Sequence, residues 1–272
     1  MSHAERRMPV VFFGHGNPMN ALSGNRYTDA WRRIGRSVPK PEGILSVSAH
    51  WYIRDTAVTA AETPETVHDF HGFPRELFAV RYPAPGDPGL ASRVRDLLSP
   101  VVVRLDRTRG LDHGTWSVLR HAFPEANIPV VQLGIDATQP PAFHYDLGKR
   151  LSPLREEGVL IVGSGNVVHN LAAMNRDPAA PPFDWARRFD ENVRDHLARR
   201  DHGPLIAYGE MGEDARLSIP TPDHYLPLLY CIALQGNSEP ISFAADGIDL
   251  GSIGMLSVAI GGQDRSVSTG IG

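Results

Sequence analysis

A chain of 272 residues, 42% hydrophobic and 21% charged, is long enough to bury a substantial core as one large domain or two small ones. Its 27 Lys and Arg against 31 Asp and Glu give a formal net charge of −4, without the basic excess that phosphate backbones require, so no nucleic-acid partner is expected. No apolar run reaches transmembrane length, the opening MSHAERRMPVVFFG lacks a small-residue cleavage site, and the one cysteine, Cys231, allows no internal disulfide. A soluble, cytoplasmic protein with no membrane partner is the expectation, and nothing in the sequence fixes an oligomeric state.

Taken in chain order, the first strand is read at Pro9–Phe13, followed by a helix at Thr28–Arg36 and a second strand at Ile44–Ala49. A helix at Pro88–Leu98 leads to a strand at Val101–Leu105, then a helix at Ser117–Phe123 and a strand at Pro129–Leu133. The pattern continues with a helix at Ala142–Arg155, a strand at Val159–Val162 and helices at Trp185–Arg199 and His224–Leu234. Ile241–Ala244 and Met255–Ile260 close the sheet at an edge. In Trp185–Arg199 one apolar face carries Trp185, Phe189, Val193 and Leu197, while the charges, Asp190 among them, read as a solvated surface.

Strands alternating with amphipathic segments predict an α/β fold: a single domain with a central, mostly parallel sheet flanked by helices. PAPGDPG (83–89) and NRDPAAPPF (175–183) read as surface loops, not interdomain linkers. Residues 1–262 are expected to form this domain, and 263–272, small and polar, a frayed tail.

The chemistry points to histidines. His15 follows the first strand, His50 ends the second, His169 lies just beyond Val159–Val162, and His224 sits in PTPDHYLP, where it is read as opening a helix. In open α/β sheets ligands bind outside the carboxyl ends of the strands, so chain-distant imidazoles meet along that edge and suit a divalent metal. His113, in the loop LDHGTW, can reach a cleft as a proton donor, with Thr115 capping the helix behind it. His68 and His71, in VHDFHGFP, read as a loop over the substrate. His121, His144, His196, His202 and His3 take structural roles. The stretch Gly163 to Asn166 lacks the third glycine of a dinucleotide fingerprint and the spacing of a nucleophile elbow, and is read as a tight turn; no Walker A or H-E-x-x-H motif occurs.

The runs FFGHGNPMNAL, SAHWY, HDFHGFP, LDHGTW, GSGNVVHNL and PTPDHYLPLLY, in this order over almost the whole chain, resemble the class III extradiol ring-cleaving dioxygenases, in the branch of the 4,5-DOPA dioxygenases. The resemblance implies a mononuclear divalent metal held by His15, His50 and His224, with His169 beside it as catalytic base or fourth ligand and His113 behind the ligands. It also implies a small-molecule catechol and dioxygen as reactants, and a metal site at the carboxyl edge of the strands. The wider class binds iron(II) through two histidines and a glutamate. Here the third position is His224, so the ion is read as zinc(II) or iron(II). Two alternatives stand beside this reading: a three-histidine zinc hydrolase, and a non-catalytic binding protein on the same fold.

Overall fold

The fold is organised by a first strand that is apolar on both sides. In this computed structural model, which describes residues 7–177 and 180–262, β1 (Val10–Gly14) is buried throughout. Val10 and Phe12 enter one core and Val11 and Phe13 the other, so the strand must lie between two layers of helices. The expected frayed tail, 263–272, lies outside the described residues.

Around β1 run β2 (Gly43–Ile53), β3 (Thr56–Thr59), β4 (Val103–Asp106), β5 (Val130–Asp136), β6 (Val159–Gly165) and β7 (Ile241–Ala245). A two-stranded hairpin, β8 (Ile248–Asp249) and β9 (Ile253–Gly254), precedes the last strand, β10 (Ser257–Ile260). The eight-stranded sheet has the order β4-β3-β5-β2-β6-β1-β10-β7. Its centre, β5-β2-β6-β1, is parallel; β10 and β7 add antiparallel at one edge, and β3 meets β5 antiparallel at the other.

One face of the sheet is covered by α1 (Arg26–Ser37), the short α2 (Arg75–Phe78) and α4 (His113–Ala122); the other by α3 (Pro88–Leu97), α5 (Pro141–Arg150), α6 (Ser152–Glu156), α7 (Asp184–Arg199), α8 (His202–Ile206) and α10 (Leu226–Ile232), with α9 (Glu213–Ser218) against α7. α1 begins where Asn25 and Thr28 form a reciprocal capping box, and it buries Tyr27, Ala30, Trp31 and Ile34. It packs on α4 so closely that a Cβ at Gly35 would overlap the Ala122 carbonyl.

Several boundaries differ from the sequence reading for local reasons. The expected helix at 142–155 is two, α5 and α6, because Pro153 has no N–H to continue the ladder past Leu151. The 117–123 helix starts at His113, since Asp112, not Thr115, caps it by accepting the Thr115 N–H. The last long helix starts at Leu226, leaving His224 in the turn before it. β2 runs past Ala49 through a register irregularity between Val47 and Tyr52, so His50 lies inside the strand. Gly163 to Gly165 are strand, not a turn: they are small because α10 lies against β6, where a Cβ on Gly163 would come within 2.6 Å of Cys231 Sγ.

Asp190 also departs from expectation. It is buried on α7, and its Oδ1 has no hydrogen-bond partner among the described residues. Burial raises its pKa to about 7 from the ordinary 3.8. A carboxyl raised in the folded state costs stability progressively as pH climbs from the unfolded value through the folded one, and the cost is constant above it. Asp190→Asn removes this dependence. Its stability relative to the parent is therefore predicted to improve by on the order of 2–4 kcal/mol between pH 4 and pH 8. Urea unfolding at the two pH values checks this; an unchanged difference contradicts it.

Candidate metal centre

Five histidines reach one cavity from five places in the chain. His15 is the residue after β1 and its N–H bonds the Gly165 carbonyl, so it lies beside the end of β6. His50 projects from the far part of β2, and His113 is the first residue of α4. His169 follows β6, with its N–H on the Ser218 carbonyl and a bridge to Ile253. His224 is tied to β6 through its carbonyl, which accepts from Asn166 N–H at 2.8 Å, and a Cβ on Gly165 would overlap that same carbonyl oxygen. The carboxyl edge of the parallel strands is therefore where the imidazoles converge, as the topology of such sheets requires.

Hydrogen bonds fix which nitrogen faces the cavity. Ser164 Oγ donates its only proton to the Gly114 carbonyl at 2.6 Å, so at 3.0 Å from His15 Nδ1 it can only accept. His15 consequently carries its proton on Nδ1 and presents the Nε2 lone pair. His113 Nδ1 donates to Asp69 Oδ1 at 2.8 Å, and His224 Nδ1 donates to Asp223, which orients both rings in the same way. Carboxylates behind imidazoles in this manner are the usual supports of metal-binding histidines. Among the described residues, His169 has no side-chain hydrogen bond; it stacks on His224 with ring centres 3.4 Å apart and planes 6° from parallel.

Electrostatics keeps three of the five rings neutral. Burial, then the neighbouring rings of His224, His113 and His169, hold His15 well below the ordinary imidazole value of 6.5. Burial and the ring of His113 do the same to His50. Burial and His224 push His169 down to about 3. The two carboxylates stay ionised: burial pushes both up, but hydrogen bonds from His113 hold Asp69 below the usual range and that from His224 holds Asp223 at about 2.

Imidazole nitrogens gathered in one cavity form a donor set for a divalent ion. His15 Nε2 and His50 Nε2 stand 3.1 Å apart, close to the separation of two ligands on one ion. Imidazoles bound to one ion at 2.0–2.1 Å have ring centres about 4.5–5.2 Å apart. The observed spacings are 5.0 Å for His15 and His50, 4.9 Å for His50 and His224, and 5.3 Å for His15 and His224. Nearest ligand atoms pick a different third member, His113, which falls within 4.8 Å of His15 and His50 together. Its ring, however, packs on His50 with centres 3.8 Å apart and lies 5.9 Å from His15. Both measures share His15 and His50.

The cavity, of about 570 Å³, is otherwise lined mainly by apolar side chains, including Met19, Phe73, Leu171, Met174 and Leu250. His68 and His71 lie in an irregular segment, and neither lines it. His121 and His144 are buried in helices. Sequence reading overlooked Asp69, which braces His113; the only signal was its place between the two histidines of HDFHGFP.

Comparison with known proteins decides the family. Residues 14–247 match the model of the catalytic LigB subunit of aromatic ring-opening dioxygenase. The chain belongs to this family. It is 48% identical to the 4,5-DOPA dioxygenase extradiol of Escherichia coli K12 over 94% of this chain and 95% of that one. It is 36% identical to the protein of that name from Beta vulgaris, over 85% and 88%. A crystal structure of an uncharacterized Escherichia coli K12 protein, 45% identical, superposes with a TM-score of 0.83 over 94% of this chain and all of that one. The chain is thus an extradiol ring-cleaving dioxygenase, and neither the hydrolase nor the binding-protein alternative is favoured. The family and the histidine cluster together indicate a divalent metal site.

Two outcomes follow for the dioxygenase. Because burial depresses His15 and His50, protons compete poorly for them, and metal is predicted to be retained as pH falls through 6.5. Dialysis against a chelator followed by metal analysis checks this; loss centred at 6.5 or above contradicts it. Gly165→Ala would press a Cβ onto the His224 carbonyl and is predicted to destabilise the fold by on the order of 1–3 kcal/mol in urea unfolding, whereas parental stability would contradict the assigned packing.

Proposed function

We propose that the dioxygenase opens a catechol-type, 4,5-DOPA-like ring at a mononuclear divalent metal held by His15, His50 and His224, with His169 as the base. The observation that supports the ligand set is the ring spacing within that trio, 5.0 and 4.9 Å from His50 to His15 and His224, with 5.3 Å between His15 and His224 just beyond the range for ligands of one ion. The names of the curated relatives support the substrate class.

Each side chain has a physical task in this reading. His15 and His224 are held by Ser164 and Asp223 with Nε2 lone pairs available, so ligand binding costs little reorganisation. Bound there, the ion supplies Lewis acidity that lowers a hydroxyl pKa and, as iron(II), the redox electron that zinc(II) lacks. Three neutral imidazoles leave its full double charge in place, which suits a chelating catecholate. His169, without a side-chain hydrogen-bond partner among the described residues, has its ring nitrogens free for the catechol hydroxyl, and its stacking on His224 places it in the same cavity. His113 lines the wall beside His50 with its Nδ1–H fixed on Asp69, as a proton carrier behind the ligands or, by its proximity, a fourth imidazole. The cavity volume is that of a small-molecule site. The apolar wall keeps water from the ring and dioxygen can enter it; residues 1–262 are assigned to this one catalytic domain. A reducing cytoplasm suits the single, buried Cys231.

Replacing a general base costs about a hundred- to ten-thousandfold. His169→Ala is predicted to lower kcat by that order while metal content stays at the parental level, and mass spectrometry of the parental product should show two oxygen atoms added beside the diol. Near-parental turnover by a fully metallated His169→Ala protein, or cleavage between the two hydroxyl carbons, contradicts the proposal.

A further inference from the structure

The lining of the cavity carries one formal charge besides the histidines. Among the residues lining it, Asp249 is the sole Asp, Glu, Lys or Arg; its surroundings, Met19, Leu171, Met174 and Leu250, are apolar. A lone carboxylate in such a wall costs desolvation unless it is held and used. Here it is held. Tyr27 Oη donates to Asp249 Oδ1 at 2.6 Å, and is the only side-chain donor to this carboxylate among the described residues. Tyr27 keeps its proton, since burial and the bond to Asp249 raise it to about 12. Arg26 donates to Tyr27 from outside, but it is exposed and does not line the cavity. Asp249 Oδ2 receives no side-chain hydrogen bond among the described residues.

The backbone fixes Asp249 as well. It is the last residue of β8, paired with Ile253 across the hairpin, and its carbonyl accepts from Ser252 N–H. Between them Leu250 and Gly251 both have positive φ, 51° and 76°. A leucine in the left-handed region is strained and persists only where its surroundings hold it. They do so here: the Leu250 carbonyl accepts from Asn175 N–H at 2.9 Å, and the Gly251 carbonyl from Phe183 N–H at 3.0 Å. The hairpin thus presents Leu250 and Asp249 to the cavity in one fixed arrangement.

We propose that Asp249 is the specificity-determining residue of the ring-opening site, selecting catechols whose ring substituent ends in an ammonium over those ending in a carboxylate. The inference rests on the catechol reading: with the diol at the histidines, the substituent is the part of the substrate left to meet the rest of the cavity lining, which includes Asp249. An ammonium there gains a charge-assisted hydrogen bond to a carboxylate already braced by Tyr27, whereas a carboxylate meets a like charge across an apolar wall.

The test compares kcat/KM for dopamine, 4-methylcatechol and 3,4-dihydroxyphenylacetate in the metal-loaded parent and Asp249→Asn, with calorimetric binding of the same three compounds. The parent should favour dopamine over 3,4-dihydroxyphenylacetate, and Asp249→Asn should shrink that ratio about 10- to 100-fold, chiefly through KM, the worth of one charged hydrogen bond. An unchanged ratio in Asp249→Asn, or a parent that prefers the anionic catechol, overturns the assignment. Should no catechol be opened, the ring-opening reading fails instead, and the calorimetric ratio still decides the role of Asp249.

Discussion

His15, His50 and His169 can share one cavity wall only while they are uncharged, and the architecture around the site follows from that constraint. Burial disfavours the protonated form of these three rings, and neighbouring rings disfavour it further, so they are held neutral at ordinary pH. Neutrality alone leaves each tautomer undecided. Ser164, Asp69 and Asp223 settle it for His15, His113 and His224 by engaging Nδ1, which turns Nε2 to the cavity. A cluster that would otherwise be a cost to folding becomes a donor set whose cost a bound cation offsets.

The sheet supplies the geometry. Parallel strands β1, β2 and β6 end side by side, so residues far apart in sequence meet without long connections. Small residues make the approach close enough: Gly165 admits the His224 backbone, and Gly114 lies against Ser48 and His50 where a Cβ would not fit. Below the histidines a buried polar layer braces the wall, in which Ser48 donates to Asp112 and Thr115 to Gln132. The hairpin β8–β9 closes the other side and is stitched to β6 through Gly254, whose N–H bonds the Val168 carbonyl and whose own carbonyl accepts from Asn166.

Much of this was legible in the sequence where local and global signals agree. Runs such as VVFFG and VLIVG are apolar on both faces and read directly as central strands, and the strand-end positions of His15 and His169 placed the site at the carboxyl edge. What was hidden depended on tertiary partners. β3 is a four-residue TAVT that becomes a strand only between β4 and β5. The hairpin carrying Asp249 has a leucine where turn chemistry favours Asn or Gly, so no turn signal marks it. Asp69 braces His113 across 44 residues of chain, and Asp190 looks solvated by helical periodicity although it is buried. The third ligand is the subtlest case: one imidazole, His113, is nearer by atoms, while another, His224, is better placed by ring spacing.

The proposed task of these histidines is to hold a redox-active ion for oxygen chemistry on a chelating diol. The most direct measurement loads metal-free protein anaerobically with iron(II) or zinc(II), adds 4-methylcatechol, admits air and follows dissolved oxygen. One dioxygen consumed per catechol by the iron(II) form, and none by the zinc(II) form, is the predicted result. Equal oxygen uptake with zinc(II), or none with iron(II) in protein shown to bind it, would contradict the claim.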